Sequence, residues 1–160
     1  MPDVALIMGS KSDLEVVVPA IKLLRQLEVS LDVKVLSAHR TPRELDEYLE
    51  SIKNNVKVII AAAGGAAHLP GVVAAKVSVP VVGLPIKSKD LNGLDSLLSI
   101  AQMPEGVPVA TVGINRAKNA AILALEVLAL SNEKLRVKLN EVREEQKRKV
   151  LASEVNVDEI

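Results

Sequence analysis

Val4-Ala5-Leu6-Ile7-Met8, then Gly9-Ser10-Lys11-Ser12-Asp13, then Leu14-Glu15-Val16-Val17-Val18: this is the stretch on which the fold turns. Five consecutive apolar residues leave no side for water, so they read as a strand covered on both faces, as in parallel sheets. A Gly/Ser turn ends the strand, and a helical period runs over residues 13–28. Working outward, the same alternation continues. Residues 33–36 and 42–53 form the next strand and helix, and residues 56–62 and the short helix 70–77 the third pair. Residues 79–84 give a fourth strand and residues 107–112 a fifth. Strands alternating with helices in this way specify βαβ units. The expected fold class is therefore α/β: a three-layer, flavodoxin-like or Rossmann-like parallel sheet in a single domain spanning residues 1–160.

The composition agrees with that core. The chain is 49% hydrophobic, yet it holds one aromatic residue, Tyr48, and no Phe or Trp, so Val, Ile, Leu and Ala must fill the interior. Twenty basic and twenty acidic residues cancel. A neutral chain without stacking aromatics has neither the positive field nor the ring platforms that nucleic acids require. The absence of cysteine excludes disulfides and thiolate metal sites. Met1-Pro2-Asp3-Val4 lacks a signal-peptide pattern, and no apolar run approaches the roughly 20 residues of a membrane span. The chain reads as cytoplasmic, with no membrane partner.

Toward the C-terminus, residues 119–130 are apolar almost all round, which predicts burial by a partner subunit. An extended, charged helix over residues 132–150 follows. Leu135, Leu139 and Val142 mark its one apolar stripe, and its Lys, Arg and Glu residues form a solvated face. Residues 151–160 read as a loosely held tail.

Two helix starts are predicted as capping boxes, Ser12-Asp13-Leu14-Glu15 and Thr41-Pro42-Arg43-Glu44, the second with Pro at its first helical position. Both follow strand ends, the edge at which open α/β sheets bind ligands. Four segments lie there. In Gly9-Ser10-Lys11-Ser12-Asp13, a cap and turn glycine explain part of the pattern. Ser12 suffices as cap, so Ser10 and Asp13 are left over, a hydroxyl suited to phosphate and a carboxylate suited to ribose hydroxyls. In Ser37-Ala38-His39-Arg40-Thr41-Pro42, Arg40 can grip a phosphate with two donors. His39 belongs to the one residue type that ordinarily titrates near neutrality, so it can give and take a proton. The run Ala61-Ala62-Ala63-Gly64-Gly65-Ala66-Ala67-His68-Leu69-Pro70-Gly71 could be a connection that merely saves space. It is also the kind of loop that lets backbone approach a carboxylate or CO2. His68 reads equally as a polar contact or as a loop residue bonded to backbone. Lys87-Ser88-Lys89-Asp90-Leu91-Asn92-Gly93-Leu94-Asp95-Ser96 reads as a polar loop in position to cover the site.

Several chemistries lack their signatures. There is no G-x-G-x-x-G and no P-loop, so NAD and ATP are not expected. A flavin would want aromatic rings. Two separated histidines without a nearby carboxylate make a poor metal site. Cofactor-free, metal-free chemistry on a phosphorylated small molecule is what remains.

Taken together, Met8-Gly9-Ser10-Lys11-Ser12-Asp13, the segment from Ser37 to Pro42, Gly64-Gly65-Ala66-Ala67-His68-Leu69-Pro70-Gly71 and Asp95-Ser96-Leu97 closely resemble the class I N5-carboxyaminoimidazole ribonucleotide mutases, the PurE family of purine biosynthesis. The resemblance runs from about Val4 to about Val142 with motifs in order. It implies an isomerase that moves a carboxylate from the exocyclic nitrogen of an aminoimidazole ribonucleotide to ring carbon C4, without ATP or metal. It further implies that Ser10, Asp13 and Arg40 hold the ribose phosphate end, with Ser12 and Ser37 beside them. His39 would be the catalytic proton shuttle, and Gly64, Gly65, Ala66, His68 and Leu69 would hold CO2 and substrate. The family assembles as a homo-octamer. Ala62, Val72 and Asn92 depart from residues common in the family, Gly, Met and Ser respectively. The animal-type carboxylase carries Lys after the histidine and an Arg-containing loop after the third strand, so Arg40 and Gly64-Gly65-Ala66-Ala67-His68 favour the mutase.

Overall fold

The computed structural model describes residues 2–153. Five strands form one parallel sheet in the order β2-β1-β3-β4-β5. They are β1 (Val4–Met8), β2 (Leu31–Val35), β3 (Val58–Gly64), β4 (Val81–Ile86) and β5 (Ala110–Thr111). Six helices accompany them: α1 (Leu14–Gln26), α2 (Pro42–Ile52), α3 (Leu69–Ala74), α4 (Leu94–Ala101), α5 (Ala117–Ala129) and α6 (Glu133–Leu151). This is the flavodoxin-like order expected from the alternation of strands and helices.

Strand periodicity of two divides the core into two layers. Val4, Leu6 and Met8 of β1, with Val58, Ile60 and Ala62 of β3, pack toward α1, α5 and α6. Ala5, Ile7, Ile59, Ala61 and Ala63 face α2, α3 and α4 on the other side. Every residue of β1 is buried, which is why its sequence shows no alternation.

The differences from the sequence expectation have local causes. β5 pairs at two positions only, Val82 with Ala110 and Gly83 with Thr111. Pro108 lacks the N–H that a longer ladder over residues 107–112 would need. α4 begins inside the segment read as a polar loop, immediately after Gly93 with φ of 95°. Neither predicted capping box forms. Ser10, not Ser12, caps a 3-10 turn over Lys11–Asp13 ahead of α1, accepting from the Ser12 N–H. Thr41 spends its hydroxyl on Ser37 and makes no side-chain cap bond to α2.

α5 also corrects the expectation attached to it. Ala120, Ala121, Ala124, Leu125 and Leu128 are buried within this chain, between α1, the sheet and α6. A helix sandwiched on several sides by its own fold needs no partner to explain an apolar circumference. The stripe on α6 holds, with Leu135 and Leu139 buried and Val142 partly so. Asn132 caps α6 by accepting the Leu135 N–H at 3.1 Å. α6 continues to Leu151, and the remainder of the expected tail, residues 154–160, lies outside the described residues. Among those residues no helix is long and apolar enough to cross a membrane.

Candidate active site

The sheet order reverses between β1 and β3, so the chain leaving β1 enters α1 on one face while the chain leaving β3 enters α3 on the other. Diverging loops open a crevice at that switch point. Here the loops after β1, β2, β3 and β4 converge on a cleft of about 480 Å³.

The β1 loop supplies Gly9, Ser10 and Asp13. The Ser10 hydroxyl oxygen accepts from the Ser12 hydroxyl at 2.8 Å, and the Ser10 carbonyl accepts the Asp13 N–H at 3.1 Å. Ser12 itself does not line the cleft; it acts one bond back, by fixing Ser10. Burial pushes the Asp13 carboxyl above its ordinary pKa, against opposing pulls from the Ser10 backbone N–H bond, the Ser12 hydroxyl and the Arg40 charge.

The β2 loop is a closed turn. Thr41 Oγ1 accepts the Ser37 N–H at 2.8 Å and donates to the Ser37 carbonyl at 3.1 Å. The Ser37 hydroxyl accepts from the Arg40 backbone N–H at 3.2 Å and from Arg40 Nε at 3.4 Å, while Arg40 Nη2 donates to the Gly9 carbonyl at 2.7 Å. The guanidinium therefore ties the β1 and β2 loops together. Two of its five N–H groups are engaged, which leaves three to receive an anion.

The β3 loop supplies residues 63–69. Gly65 has φ of 63° and Ala67 of 29°, a left-handed path that brings the Ala67 N–H to the Gly64 carbonyl at 3.2 Å. That tight loop puts His68 at the start of α3, where its Nδ1 lies 2.7 Å from Nε2 of His39. The two rings stand edge to face, 4.7 Å between centroids and 86° between planes. A hydrogen bond between two imidazole nitrogens holds one proton between them. Either ring can be the donor, so this is a site at which a proton can reside and be passed.

The β4 loop closes the cleft with Ile86, Lys87, Ser88 and Lys89. Ser88 donates to Asp95 Oδ1 at 2.6 Å and accepts the Gly93 N–H at 3.1 Å. The bond from Ser88 holds the Asp95 carboxyl below its ordinary pKa. The buried Ser96 hydroxyl lies within hydrogen-bond reach of the carbonyls of Ile86 (2.7 Å) and Gly93 (2.9 Å). Neither Lys87 nor Lys89 is ion-paired among the described residues.

Of the expected site residues, Ser10, Asp13, Ser37, His39, Arg40, Gly64, Gly65, Ala66, His68 and Leu69 all line this one cleft, and Ser12 stands behind it. Lys87 and Lys89 were not singled out as binding groups by the sequence. Their signal was only that two basic residues follow a fully buried strand end.

This cleft brings together an arginine with N–H groups to spare, a hydrogen-bonded imidazole pair and a run of small residues. A family model described as AIR carboxylase matches residues 3–149. The chain belongs to the AIR carboxylase family. Within that family, a protein of Pyrococcus abyssi named N5-carboxyaminoimidazole ribonucleotide mutase is 59% identical over 149 residues, 92% of this chain and 86% of that protein. One of the same name from Bacillus subtilis is 54% identical, covering 95% of this chain and 96% of its own. A Candida glabrata protein named phosphoribosylaminoimidazole carboxylase is 50% identical over 99% of this chain, which corresponds to 28% of that longer protein. The crystal structure of Treponema denticola PurE superposes with a TM-score of 0.85 at 26% identity, covering 92% of this chain and 93% of that one.

Proposed function

We propose that this protein is an N5-carboxyaminoimidazole ribonucleotide mutase, an isomerase of purine biosynthesis. The full-length relatives bearing that name support the reading. The observation that carries it is the 2.7 Å contact between His39 and His68 beside a cleft floor of glycine and alanine.

The reaction breaks the bond from the exocyclic nitrogen to its carboxylate and forms a bond from ring C4 to the same carbon. A proton given to the nitrogen allows CO2 to leave the amine. C4 then attacks CO2, and the hydrogen on C4 departs as a proton. The proton spent in the first half is regained in the second, so one acid/base group serves both, and His39 is that group. His68 holds the His39 ring and shares its proton. Residues 64–66 form the floor that retains CO2, whose escape would strand the amine. Arg40, Ser10 and Asp13 take the ribose phosphate end, with Ser37 keeping the Arg40 fork in place. All of this occurs within one domain over residues 1–160, with no cofactor or metal.

We further assign the protein to the cytoplasm and to a homo-octamer. Support for assembly comes from α4 rather than α5. Leu94 and Leu98, one turn apart on that helix, are 51% and 47% exposed, and Leu91 just ahead of it is 58% exposed, apolar surface of the kind subunits cover.

Purified protein supplied with the N-carboxylated ribonucleotide, and separately with the amine plus bicarbonate, tests the function without ATP. Formation of the C4-carboxylated product from the first is expected. Rapid turnover from the amine and CO2 alone would make the protein a direct carboxylase. Binding without product from either would make it a sensor.

A further inference from the structure

We infer that Asn115 is a positioning residue for the reaction, acting through the β4 loop. β4 ends at Ile86, and β5 accompanies it only as far as Thr111. Beyond that point the regular ladder stops, yet the hydrogen bonding does not. The Val112 N–H donates to the Gly83 carbonyl at 3.1 Å, the Asn115 N–H to the Pro85 carbonyl at 2.9 Å, and the Lys87 N–H to Asn115 Oδ1 at 2.8 Å. A parallel partner would receive the last bond on a backbone carbonyl. Here a side-chain amide takes that place.

The reason lies in the local count of residues. Two steps along β4, from Gly83 to Pro85, are matched by three steps across the gap, from Val112 to Asn115. The extra residue breaks the register, and Asn115 absorbs it with φ of 57°. Asn tolerates this left-handed conformation better than most residues and also carries an acceptor that can stand in for the carbonyl. The neighbouring turn adds a steric stop, because a Cβ on Gly93 would meet Ile114 at 2.7 Å and the Lys87 Cα at 3.2 Å.

The effect is to carry the straight course of β4 one residue further, to the lip of the cleft, and to set the direction in which Lys87, Ser88 and Lys89 line it. The substrate of the proposed reaction carries a phosphate and a carboxylate. The two lysines of this wall have no ion pair of their own among the described residues, so the wall is a cationic surface facing an anionic ligand. Asn115 does not itself line the cleft; it meets the wall only through its bond to the Lys87 N–H, and its influence is on where that surface stands. The loss of uniform binding raises KM and leaves kcat in place.

The inference rests on the mutase reading for its kinetic arm, and a second arm is independent of it. Asn115→Gly keeps the left-handed backbone and removes the acceptor, whereas Asn115→Asp keeps both. Hydrogen exchange of a peptide containing the Lys87 amide is measured alongside steady-state kinetics with the N-carboxylated ribonucleotide. For Asn115→Gly we expect exchange faster by about tenfold or more, KM raised by roughly 5- to 10-fold and kcat within about twofold. Asn115→Asp should remain near the parent in all three. Unchanged exchange in the Gly variant would overturn the brace. Faster exchange with unchanged KM, a loss confined to kcat, or equal damage in the Asp variant would overturn its role toward substrate. A parent protein that turns over neither substrate would remove the mutase reading, and the exchange arm would then decide the brace alone.

Discussion

Replacing His39 and His68 singly and together tests whether the two imidazoles work as one acid/base device. Their ring nitrogens lie 2.7 Å apart, within hydrogen-bond range, and while one ring carries the transferred proton this is a hydrogen bond to a charged group. Such bonds contribute about 1.5–3 kcal/mol, which at 1.36 kcal/mol per tenfold is roughly a 10- to 150-fold effect on rate. His39→Asn removes the proton carrier and should lower turnover by at least ~100-fold, the usual scale for a lost general acid or base. His68→Phe keeps a ring of similar size without its nitrogens and should cost roughly 10- to 150-fold. His68→Asn is the control, since its amide can occupy the position of the Nδ1 that His39 contacts; it should recover part of the loss. If His68 acts only through His39, the double variant His39→Asn/His68→Phe should be no slower than His39→Asn alone. Independent roles would instead multiply to about 1,000-fold or more. The assay is kcat/KM for the N-carboxylated ribonucleotide across the four proteins of the cycle, with ligand affinity measured separately. A multiplicative double variant would refute the shared-proton reasoning.

A Cβ at Gly83 would lie 2.3 Å from Ile100 Cγ2 and 2.7 Å from Val109 Cγ1. Gly83→Ala should therefore cost about 1–3 kcal/mol, a Tm lowered by roughly 2–12 °C in calorimetry; an unchanged Tm would mean that Ile100 yields freely. Gly9→Ala should melt with the parent while raising KM by about tenfold, because the nearest atom to its Cβ is the Ala62 carbonyl oxygen at 3.9 Å. A folding defect in that variant would contradict the assignment of its space to ligand. Asp13 has its folded pKa raised, chiefly by burial, so its stabilising contribution is present below the ordinary carboxylate pKa and is lost as pH rises through the raised value. Asp13→Asn should thus melt above the parent at pH 7, converge with it below about pH 4, and bind the ribonucleotide more weakly. A lower Tm at pH 7 would show that the carboxylate stabilises the fold.

How much of this was legible in the sequence depended on whether a feature is local. β1, β3 and β4 could be read because strands buried on both faces are apolar throughout, and their positions fix the sheet edge where the site lies. α4 was missed because it starts at Leu94 after a left-handed Gly93, inside a run of Lys, Ser, Asp and Asn that has the composition of a turn. The capping residues were misassigned for a related reason. The hydroxyls of Ser12 and Thr41 are spent across their turns, on Ser10 and Ser37, so a local cap pattern was satisfied in sequence and used differently in space. Contacts between distant segments were out of reach. His39 and His68 are 29 residues apart and meet because the helices their loops enter, α2 and α3, lie on the same face of the sheet, while Lys87 and Asn115, 28 apart, meet because β4 and β5 are neighbours.

The small residues of the site separate by what each omitted side chain would have met. Gly64 faces the fold, where a Cβ would make ordinary contact with the Ile86 carbonyl at 3.4 Å and its Cβ at 3.5 Å. Gly65 is held by conformation, with φ of 63° and nothing within 4 Å of the place a Cβ would take. Gly9 is held by neither, because its φ is ordinary and its surroundings are open. A connection that merely saved space would crowd every such position against protein. Instead, the room at Gly9 and Gly65 adjoins the cleft that His39 and Arg40 line, while Gly64, in contact with Ile86, sits where β3 meets β4. At Gly9 the absence of bulk has no counterpart in the surrounding protein, which is what the proposed ligand site requires, and the imidazole pair and the guanidinium line the same cleft.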